Sequence, residues 1–347
     1  MKKAAVIGHF GFGHAYFDGQ TVKTKIVTEA LSGEYGDESI LRFDTHGGAK
    51  TLLKAPLFVL SALAKAQNVI ILPAHNGLRV FGRMLPLFKG FFKGRKLHYV
   101  VIGGWLPKKL QEDTDLARAL KRFDAIYAET NTVKNALEAQ GFTNIRVMPN
   151  CKALTPLQPK DFVYQTQPPY KLCTFSRVME EKGIGDAVAA VKAVNEQAGK
   201  TLYTLDIYGQ IDPGQTQWFQ QMQEEFPAYV RYGGIVPFQH SVEVLKDYFA
   251  LLFPTRYFTE GVPGTIIDAY ASGVPVVSAK WESFGDIVDD GVTGIGYDFG
   301  SQEALEKTLL AIGENPEALN GLKEACLEKS KCFLPKTAIQ TIIQELA

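Results

Sequence analysis

Apolar and polar positions alternate along this chain in blocks that predict strands separated by helices. Short runs rich in Val, Ile and Leu are typical of buried parallel strands. The amphipathic stretch at residues 20–31 places its apolar side chains on one helical face. The pattern predicts an α/β fold with parallel sheets. The predicted strands cover residues 4–7, 68–74, 97–104, 125–130, 145–150, 171–178, 204–209, 230–236, 250–253 and 274–279.

A proline-rich stretch divides the alternating pattern into two series. Residues 156–169 contain four prolines and little periodicity, which predicts an interdomain linker. A chain of 347 residues is long enough for two α/β domains with separate cores. We therefore expect one domain over residues 1–165, a second over 166–330 and a C-terminal segment, 331–347, whose last helix covers residues 338–346.

The segment from residue 250 to residue 279 is the most informative part of the chain. It predicts a strand, a loop over residues 254–263, a helix over 264–272 and a second strand. Glu260 lies in the loop, and Asp268 follows eight residues later in the helix. Open α/β sheets bind ligands beyond the carboxyl ends of their strands, where a helix N-terminus suits phosphate. In the plainer interpretation, Glu260 is a solvated loop acid and Asp268 is a first-turn acid favoured by the helix dipole.

This segment resembles the acidic-x7-acidic signature of family 4 glycosyltransferases, which are retaining enzymes that use nucleotide-sugar donors. The family usually carries Glu at both positions, whereas this chain has Asp268 at the second. The resemblance implies a GT-B fold, in which two Rossmann-like domains face each other across a cleft and a C-terminal helix returns to the first domain. It also implies that the second domain binds the donor, with Asp268 on the ribose and Glu260 at the transferred sugar. The neighbouring residues assigned to the same donor site are Gly261, Val262, Pro263, Gly264 and Thr265.

Two basic residues follow the predicted strand at 171–178. Arg177 and Lys182 lie where they can stabilise the negative charge that a nucleoside diphosphate gains as it leaves. The resembling family carries an Arg and a Lys in this role, so we take both as catalytic candidates together with Glu260. The alternative is a surface pair with a neighbouring glutamate, Glu180 or Glu181. By the same resemblance, Ile235 lines the base pocket.

Glycines and polar residues also follow the first predicted strand. Residues 8–13 have the spacing GxxGxG rather than GxGxxG, which weakens a nicotinamide or flavin interpretation. Gly11 and Gly13 permit a close backbone approach to a ligand, although tight strand–helix packing would also explain them. The run DGQTVKT, which begins at Asp18, resembles the first loop of the same glycosyltransferases and assigns Gly19 and Gln20 to the donor site.

His75 and Asn76 follow the predicted strand at 68–74. We expect them to project into the interdomain cleft and to contact the transferred sugar or the acceptor. The alternative is a structural histidine without a ligand.

Metal and cofactor signals are weak throughout the sequence. The run from Glu112 to Asp115 contains a DxD, which we interpret as part of a solvated face of one polar helix over residues 108–123. The four cysteines show no zinc-like pairing. We therefore expect no metal and no cofactor beyond the nucleotide-sugar substrate. The N-terminus predicts a strand rather than a signal peptide, and residues 55–64 are too short to span a bilayer, so a cytoplasmic protein is expected.

The zero net charge conceals an uneven distribution. Residues 1–165 carry 23 Lys and Arg against 13 Asp and Glu, whereas the remainder carries 14 against 24. Within the basic half, LFKGFFKGRK (87–96) interleaves phenylalanines with cations, which favours contact with an anionic membrane or a lipid-linked acceptor. The alternative is a solvated surface. No nucleic-acid-binding module is visible.

Together, these patterns and the resemblance lead to a hexosyl- or N-acetylhexosaminyltransferase that is retaining and metal-independent. We expect it to move sugar from a UDP-sugar to a glycan or lipid-linked acceptor in bacterial capsule or exopolysaccharide synthesis, with membrane contact at the inner face of the cytoplasmic membrane. Two rivals remain: a non-catalytic nucleotide-sugar-binding subunit that regulates a partner enzyme, and a nicotinamide-dependent dehydrogenase.

Overall fold

A computed structural model describes residues 1–13, 19–47, 51 and 53–346. The chain forms two compact units, one made of residues 1–153 together with the segment that begins at Phe333, and one made of residues 154–332. Each unit is built on a six-stranded sheet whose neighbouring strands are parallel, with helices between successive strands. The predicted α/β class is therefore confirmed.

In the first unit the strands run in the order β2-β1-β3-β4-β5-β6. Its described elements are β1 Lys2–Gly8, α1 Gly19–Tyr35, β2 Ile40–Asp44, α2 Ala55–Lys65, β3 Ala66–Leu72, α3 His75–Lys89, β4 Lys96–Val100, α4 Leu106–Glu112, α5 Thr114–Leu120, β5 Ala125–Ala128, α6 Asn131–Ala139 and β6 Ile145–Val147.

In the second unit the strands run in the order β12-β11-β10-β7-β8-β9. Its described elements are β7 Tyr170–Phe175, α7 Ile184–Ala198, β8 Tyr203–Tyr208, α8 Thr216–Glu224, β9 Val230–Gly234, α9 Ser241–Leu245, β10 Ala250–Phe253, α10 Gly264–Ala271, β11 Val276–Ala279, α11 Phe284–Ile287, β12 Gly294–Tyr297, α12 Gln302–Glu314, α13 Glu317–Asn320 and α14 Lys323–Ser330.

The last two helices, α15 Pro335–Ala338 and α16 Gln340–Leu346, belong to the first unit. Their apolar side chains join those of α1 in a buried cluster on one face of the first sheet. The Tyr35 hydroxyl donates a hydrogen bond to the carbonyl of Ile343 at 3.0 Å, and Arg146 Nε pairs with Glu345 Oε1 at 2.7 Å. The C-terminal segment therefore completes the core of the N-terminal unit.

Both sheets reverse their strand order once, and each reversal creates a place for a ligand. In the first sheet β1 lies between β2 and β3, and in the second β7 lies between β8 and β10. The loops that follow the two strands at such a point diverge to opposite sides of the sheet and leave a crevice between them. The loops after β1 and β3, and those after β7 and β10, are thus the natural sites for binding.

Two of the four edge strands, β2 and β12, were not predicted. β2 carries Arg42 and Asp44, and β12 carries two glycines in four residues, so neither has the continuous apolar run by which central parallel strands are recognised. The single polar helix predicted over residues 108–123 is wrong as well. Helix α4 ends at Glu112, and a separate helix, α5, begins after Asp113. The Asp113 carboxylate accepts a hydrogen bond from the amide of Leu116 at 3.0 Å and thereby caps α5.

The predicted linker, residues 156–169, packs on the second unit instead. The amide of Leu157 donates to the carbonyl of Ala271 at 2.8 Å. The ring of Phe162 lies against Gly273, where a β-carbon would come within 2.4 Å of it. The unit boundary accordingly falls between residues 153 and 154, rather than between 165 and 166, and the second boundary lies at 332 rather than 330. These contacts are non-local, so proline content alone misjudged the segment.

None of the described helices combines the length and the apolar character that a membrane span requires.

A buried lysine in the second unit, Lys323, forms no ion pair with any acidic side chain among the described residues. Lys323 begins α14, and its Nζ donates to the carbonyl of Gly273 at 3.4 Å. The side chain is almost completely buried, and this burial lowers its pKa to about 8. Since an unfolded lysine titrates near 10.4, the folded state binds fewer protons between these two values. The contribution of Lys323 to the free energy of unfolding therefore rises as the pH increases from about 8 to 10.4, and it is lowest below pH 8.

We expect Lys323→Met to raise the free energy of unfolding by about 2 kcal/mol at neutral pH, because it removes the burial cost and loses one weak hydrogen bond. The gain should shrink as the pH rises through about 8 toward 10.4. Urea unfolding at several pH values measures both effects, with the exposed Lys331→Met as the control. An equal gain at pH 7 and pH 10 would contradict the assigned cause.

Candidate functional site

The loops after β7 and β10 bring three predicted residues to the reversal point of the second sheet. Arg177 follows β7, is about half exposed, and lies with Nη1 3.6 Å from Asp212 Oδ2. Lys182 ends a short 3-10 turn in the same loop, and its Nζ forms a close ion pair with Glu260 Oε1 from the loop after β10. The surface pairs with Glu180 or Glu181 are therefore not the arrangement that the structure shows.

Glu260 is held from two sides. Besides Lys182, the hydroxyl of Thr255 donates to Glu260 Oε1 at 3.1 Å, and Lys182 Nζ also lies 5.0 Å from the centre of the Tyr257 ring. Both charged side chains are largely buried. The interpretation of Glu260 as a solvated loop acid is accordingly wrong. The pair keeps one cation and one carboxylate ordered at the mouth of the sheet.

A close backbone approach fixes the two loops against each other. Gly183 has a φ of 70°, and a β-carbon on it would lie 1.8 Å from the carbonyl oxygen of Pro254. Only glycine fits such a position. Next to it, the amide of Arg256 donates to the carbonyl of Glu181 at 2.9 Å. The contact between Gly183 and Pro254 thereby positions Lys182, the residue that precedes Gly183.

The N-terminus of α10 opens at the end of the same loop. Pro263 is its N-cap residue, and the helix begins at Gly264, so the first backbone amides point toward the loop. Thr265 Oγ1 is buried and has no hydrogen-bond partner among the described residues. Gly261 and Val262 lie in the preceding loop.

Asp268 lies in the second turn of α10, not in the first, and is 2% exposed. Its Oδ1 accepts a hydrogen bond from the hydroxyl of Ser241 at 2.9 Å. The helix-dipole interpretation of this acid is therefore wrong. Ile235 follows β9 and is exposed. The sequence did not indicate Ser241, since a serine after a 3-10 turn carries no specific signal.

In the first unit, an aspartate that the sequence analysis missed organises the glycine loop after β1. The carboxylate of Asp44, at the end of β2, accepts hydrogen bonds from the backbone amides of Phe10, Gly11, Phe12 and His46 at 2.9–3.2 Å. Burial raises the pKa of Asp44, but these amides outweigh it, and the pKa lies below its usual value. Gly11 and Gly13 both have positive φ angles. The sequence signal that could have identified Asp44 was its position at the end of β2, an edge strand that the sequence did not predict.

Polar side chains join this loop to the start of α1. His9 Nδ1 lies 2.6 Å from Thr21 Oγ1, and His9 Nε2 lies 3.1 Å from His46 Nδ1. Gln20 Nε2 donates to the carbonyl of Leu72 at the end of β3, at 3.1 Å. Gly19 is the first residue of α1, whereas Asp18 lies outside the described residues. Gln20 is thus placed between the ends of β1 and β3.

The residues after β3 form the other side of this reversal point. His75 begins α3, and its ring lies 3.8 Å, centre to centre, from the ring of Trp105. Burial, together with Lys109 and Arg79, lowers the pKa of His75, which favours the neutral imidazole. Asn76 is exposed beside it. A neutral histidine at this place can donate or accept a hydrogen bond.

The DxD run is engaged within the fold. Asp113 caps α5 and pairs with Arg83, Asp115 pairs with Arg118, and Glu112 lies near Lys109. Within the described part of the chain, no group of three or more His, Cys, Asp or Glu side chains is arranged to hold a metal ion.

The whole chain superimposes on solved structures of one architecture. HepE from Anabaena, solved in complex with UDP-glucose, matches with a TM-score of 0.74 at 16% identity, covering 99% of this chain and 98% of HepE. Sucrose-phosphate synthase from Thermosynechococcus elongatus matches with a TM-score of 0.76 at 15% identity, again covering 99% and 98%. The fold is therefore GT-B, as the sequence predicted.

Sequence comparison finds a family match within the second unit. Residues 169–315 match the family model described as glycosyl transferases group 1, and this range contains Arg177, Lys182, Glu260 and Asp268. Over 163 residues the chain is 25% identical to the amylovoran biosynthesis glycosyltransferase AmsK of Erwinia amylovora. That alignment covers 46% of this chain and 39% of AmsK.

Two glycines that flank α7 provide a matched test of the backbone contact. Gly183 and Gly199 both have left-handed conformations, with φ of 70° and 61°, but a β-carbon on Gly199 would meet nothing within 4 Å. We expect Gly199→Ala to cost about 1 kcal/mol of stability. Gly183→Ala should cost at least about 3 kcal/mol, because the carbonyl of Pro254 must also move. Urea unfolding decides; equal losses would mean that the loops do not depend on this contact.

Proposed function

We propose that this protein is a retaining glycosyltransferase that moves a hexosyl or N-acetylhexosaminyl group from a UDP-sugar to a glycan or lipid-linked acceptor without a metal ion. The observation that carries the proposal is the convergence of Arg177, Lys182, Glu260 and the α10 N-terminus at the reversal point of the second sheet. The crystal structures of HepE with UDP and with UDP-glucose support the choice of donor.

The diphosphate is the part of the donor that this cluster suits best. Arg177 can form two parallel hydrogen bonds to phosphate oxygens, and Lys182 supplies a compact point charge. The first amides of α10 and the hydroxyl of Thr265 add neutral donors at a positive helix terminus. Because the leaving UDP gains charge as the glycosidic bond breaks, these groups stabilise the transition state more than the bound donor.

Glu260 and Asp268 have different proposed partners. When phosphate binds Lys182, Glu260 becomes available to donor hydroxyls or to the positive charge that develops on the sugar. Asp268, held by Ser241, is assigned to the ribose. No side chain is needed as a base, because the departing phosphate oxygen can take the acceptor hydroxyl proton on the same face of the sugar. The new glycosidic bond forms as the bond to UDP breaks, and the configuration is retained.

The first unit is the proposed acceptor side. His75 and Asn76 offer neutral hydrogen-bonding groups that suit sugar hydroxyls. The proposed role is bacterial capsule or exopolysaccharide synthesis, and the similarity to AmsK, whose name places it in amylovoran biosynthesis, supports a polysaccharide product.

Arg177→Ala and Lys182→Ala should each lower kcat by about 100- to 1,000-fold, which corresponds to roughly 3–4 kcal/mol of lost transition-state stabilisation. The reason is that each removes a group poised for the leaving charge. UDP release from a UDP-sugar in the presence of acceptor measures the rate, and calorimetric titration with UDP measures ground-state affinity. Lys307→Ala, on the exposed face of α12, is the control. Unchanged turnover in both site variants would refute the diphosphate assignment.

Titrations with UDP, GDP, ADP and NAD separate the rivals. Stabilisation by NAD alone would favour the dehydrogenase, while UDP-sugar binding without hydrolysis or transfer would favour the regulatory subunit.

Activity should survive excess EDTA, because the proposed site neutralises the diphosphate with side chains and a helix terminus. Asp113→Asn, which keeps an acceptor for the helix cap, and Asp115→Ala should likewise retain wild-type turnover. The same UDP-release assay, with and without added manganese, is the measurement. A complete loss under EDTA that manganese restores would overturn the metal-independent mechanism.

A further inference from the structure

Helix α2 is apolar on both of its faces, although only one of them packs on the protein. Ala55, Val59, Ala62 and Leu63 are buried in the core of the first unit. The opposite side carries Leu57, Leu60 and Ala64, and Leu53 lies in the turn before the helix; we call these four residues the leucine face. Leu53 is 83% exposed, Leu57 68% and Leu60 38%. Within the helix, the spacing of three and four residues places Leu57, Leu60 and Ala64 along one stripe. Contiguous exposed apolar surface of this kind marks an interaction site.

The charge around the leucine face is of one sign. Residues 45–111 contain 11 Lys and Arg and no Asp or Glu, a run of 67 residues that spans α2 and α3. Lys54 and Lys65 flank the leucine face at its two ends and are exposed. In the described part of the chain neither of them has an ion-pair partner within 4 Å. This run accounts for the whole basic excess of the N-terminal half.

The segment LFKGFFKGRK lies beside the C-terminal end of α2, because Arg95 Nε donates to the carbonyl of Leu63 at 2.8 Å. Fewer of its aromatic and basic side chains are free for an interaction than its composition indicates. Phe88 and Phe92 pack against the core, and Lys89 is paired with Asp124. The aromatic side chain left exposed is that of Phe91, at 80%. Lys93 is also exposed, and no ion pair is found for it among the described residues.

We propose that the leucine face, with Phe91 and the cations Lys54, Lys65 and Lys93, is a docking surface for an anionic lipid bilayer. A bilayer supplies both halves of the required chemistry, since its acyl region takes the leucines and its anionic headgroups take the lysines. A two-fold symmetric dimer through this face fits less well, because it would bring two surfaces of the same charge together. The inference is independent of the proposed transfer reaction and can fail or succeed separately from it.

The apolar half is tested with Leu57→Ser together with Leu60→Ser in the full chain. Sedimentation with phosphatidylcholine vesicles, with or without phosphatidylglycerol, measures the bound fraction. Each leucine that enters the acyl region should contribute about tenfold to partitioning. The double variant should therefore bind the anionic vesicles on the order of a hundredfold more weakly. Binding equal to that of the wild type would overturn the proposal.

The charged half is tested with Lys54→Ser, Lys65→Ser and Lys93→Ser in one chain. The triple variant should lose on the order of a hundredfold in binding to anionic vesicles at low salt. Wild-type binding should also weaken as the salt concentration rises and the charges are screened. Equal wild-type binding to neutral and anionic vesicles would contradict the role of the cations.

A label reports whether the leucine face itself enters the bilayer. Cys332 is exposed and the other three cysteines are buried, so Cys332→Ser gives a background in which Leu57→Cys is the accessible thiol. An environment-sensitive fluorophore at residue 57 should shift to the blue when anionic vesicles are added. The same fluorophore on Val292→Cys, an exposed position in the second unit, should not. No shift at residue 57 would overturn the proposal.

Matched controls exclude trivial causes. Val292→Ser and Lys200→Ser remove exposed apolar and basic side chains elsewhere and should leave vesicle binding unchanged. All variants alter exposed positions, so their unfolding midpoints and UDP affinities should match those of the wild type. Light scattering without lipid tests the other occupant. A dimer that Leu57→Ser and Leu60→Ser dissociate, with no vesicle binding by the wild type, would assign the surface to self-association and refute bilayer docking.

Discussion

The arrangement of the candidate site depends on a contact between two backbone segments, Gly183 and the carbonyl of Pro254. The contact is closer than any residue with a β-carbon permits, and it joins the loop after β7 to the loop after β10. Lys182 and Glu260 can pair because their loops are held together at this point. The same contact sets the start of α7, while the end of the β10 loop sets the start of α10. One glycine thus positions a cation, a carboxylate and the start of α7.

The first unit meets a similar requirement with a different device. Its sheet also reverses at β1, but the loop after β1 is shaped by a carboxylate that collects backbone amides. The buried ion pair between Lys23 and Glu129, with Lys23 also donating to the carbonyl of Val101 at 2.9 Å, ties α1 to the ends of the strands behind this loop. Such a pair contributes position more than stability, because each charge must be removed from water. Both units therefore have buried polar groups at the ends of their strands.

What the sequence could predict was local, and what it missed was set by distant contacts. The central strands, the helix that begins at Gly264 and the loops carrying Arg177 and Glu260 follow from short apolar runs and glycine or proline at their ends. The edge strands β2 and β12 lack those runs. The packing of Phe162 on Gly273 requires residues more than a hundred positions apart, so a proline-rich segment looked like a linker. The leucine face is a further case, since residues 55–64 are apolar on every side and only the fold decides which side is left uncovered.

The interleaving of the two units has a consequence for synthesis on the ribosome. One face of the first sheet is covered by α1 together with the C-terminal residues Ile339 and Ile342. This face stays partly uncovered until residues 333–346 have left the ribosome. By then the whole second unit has been made and can fold, since its residues are continuous. The N-terminal unit is therefore the later of the two to be completed, although most of it is translated first. A nascent chain in this interval exposes apolar surface on its oldest part, and that is where a chaperone would be needed.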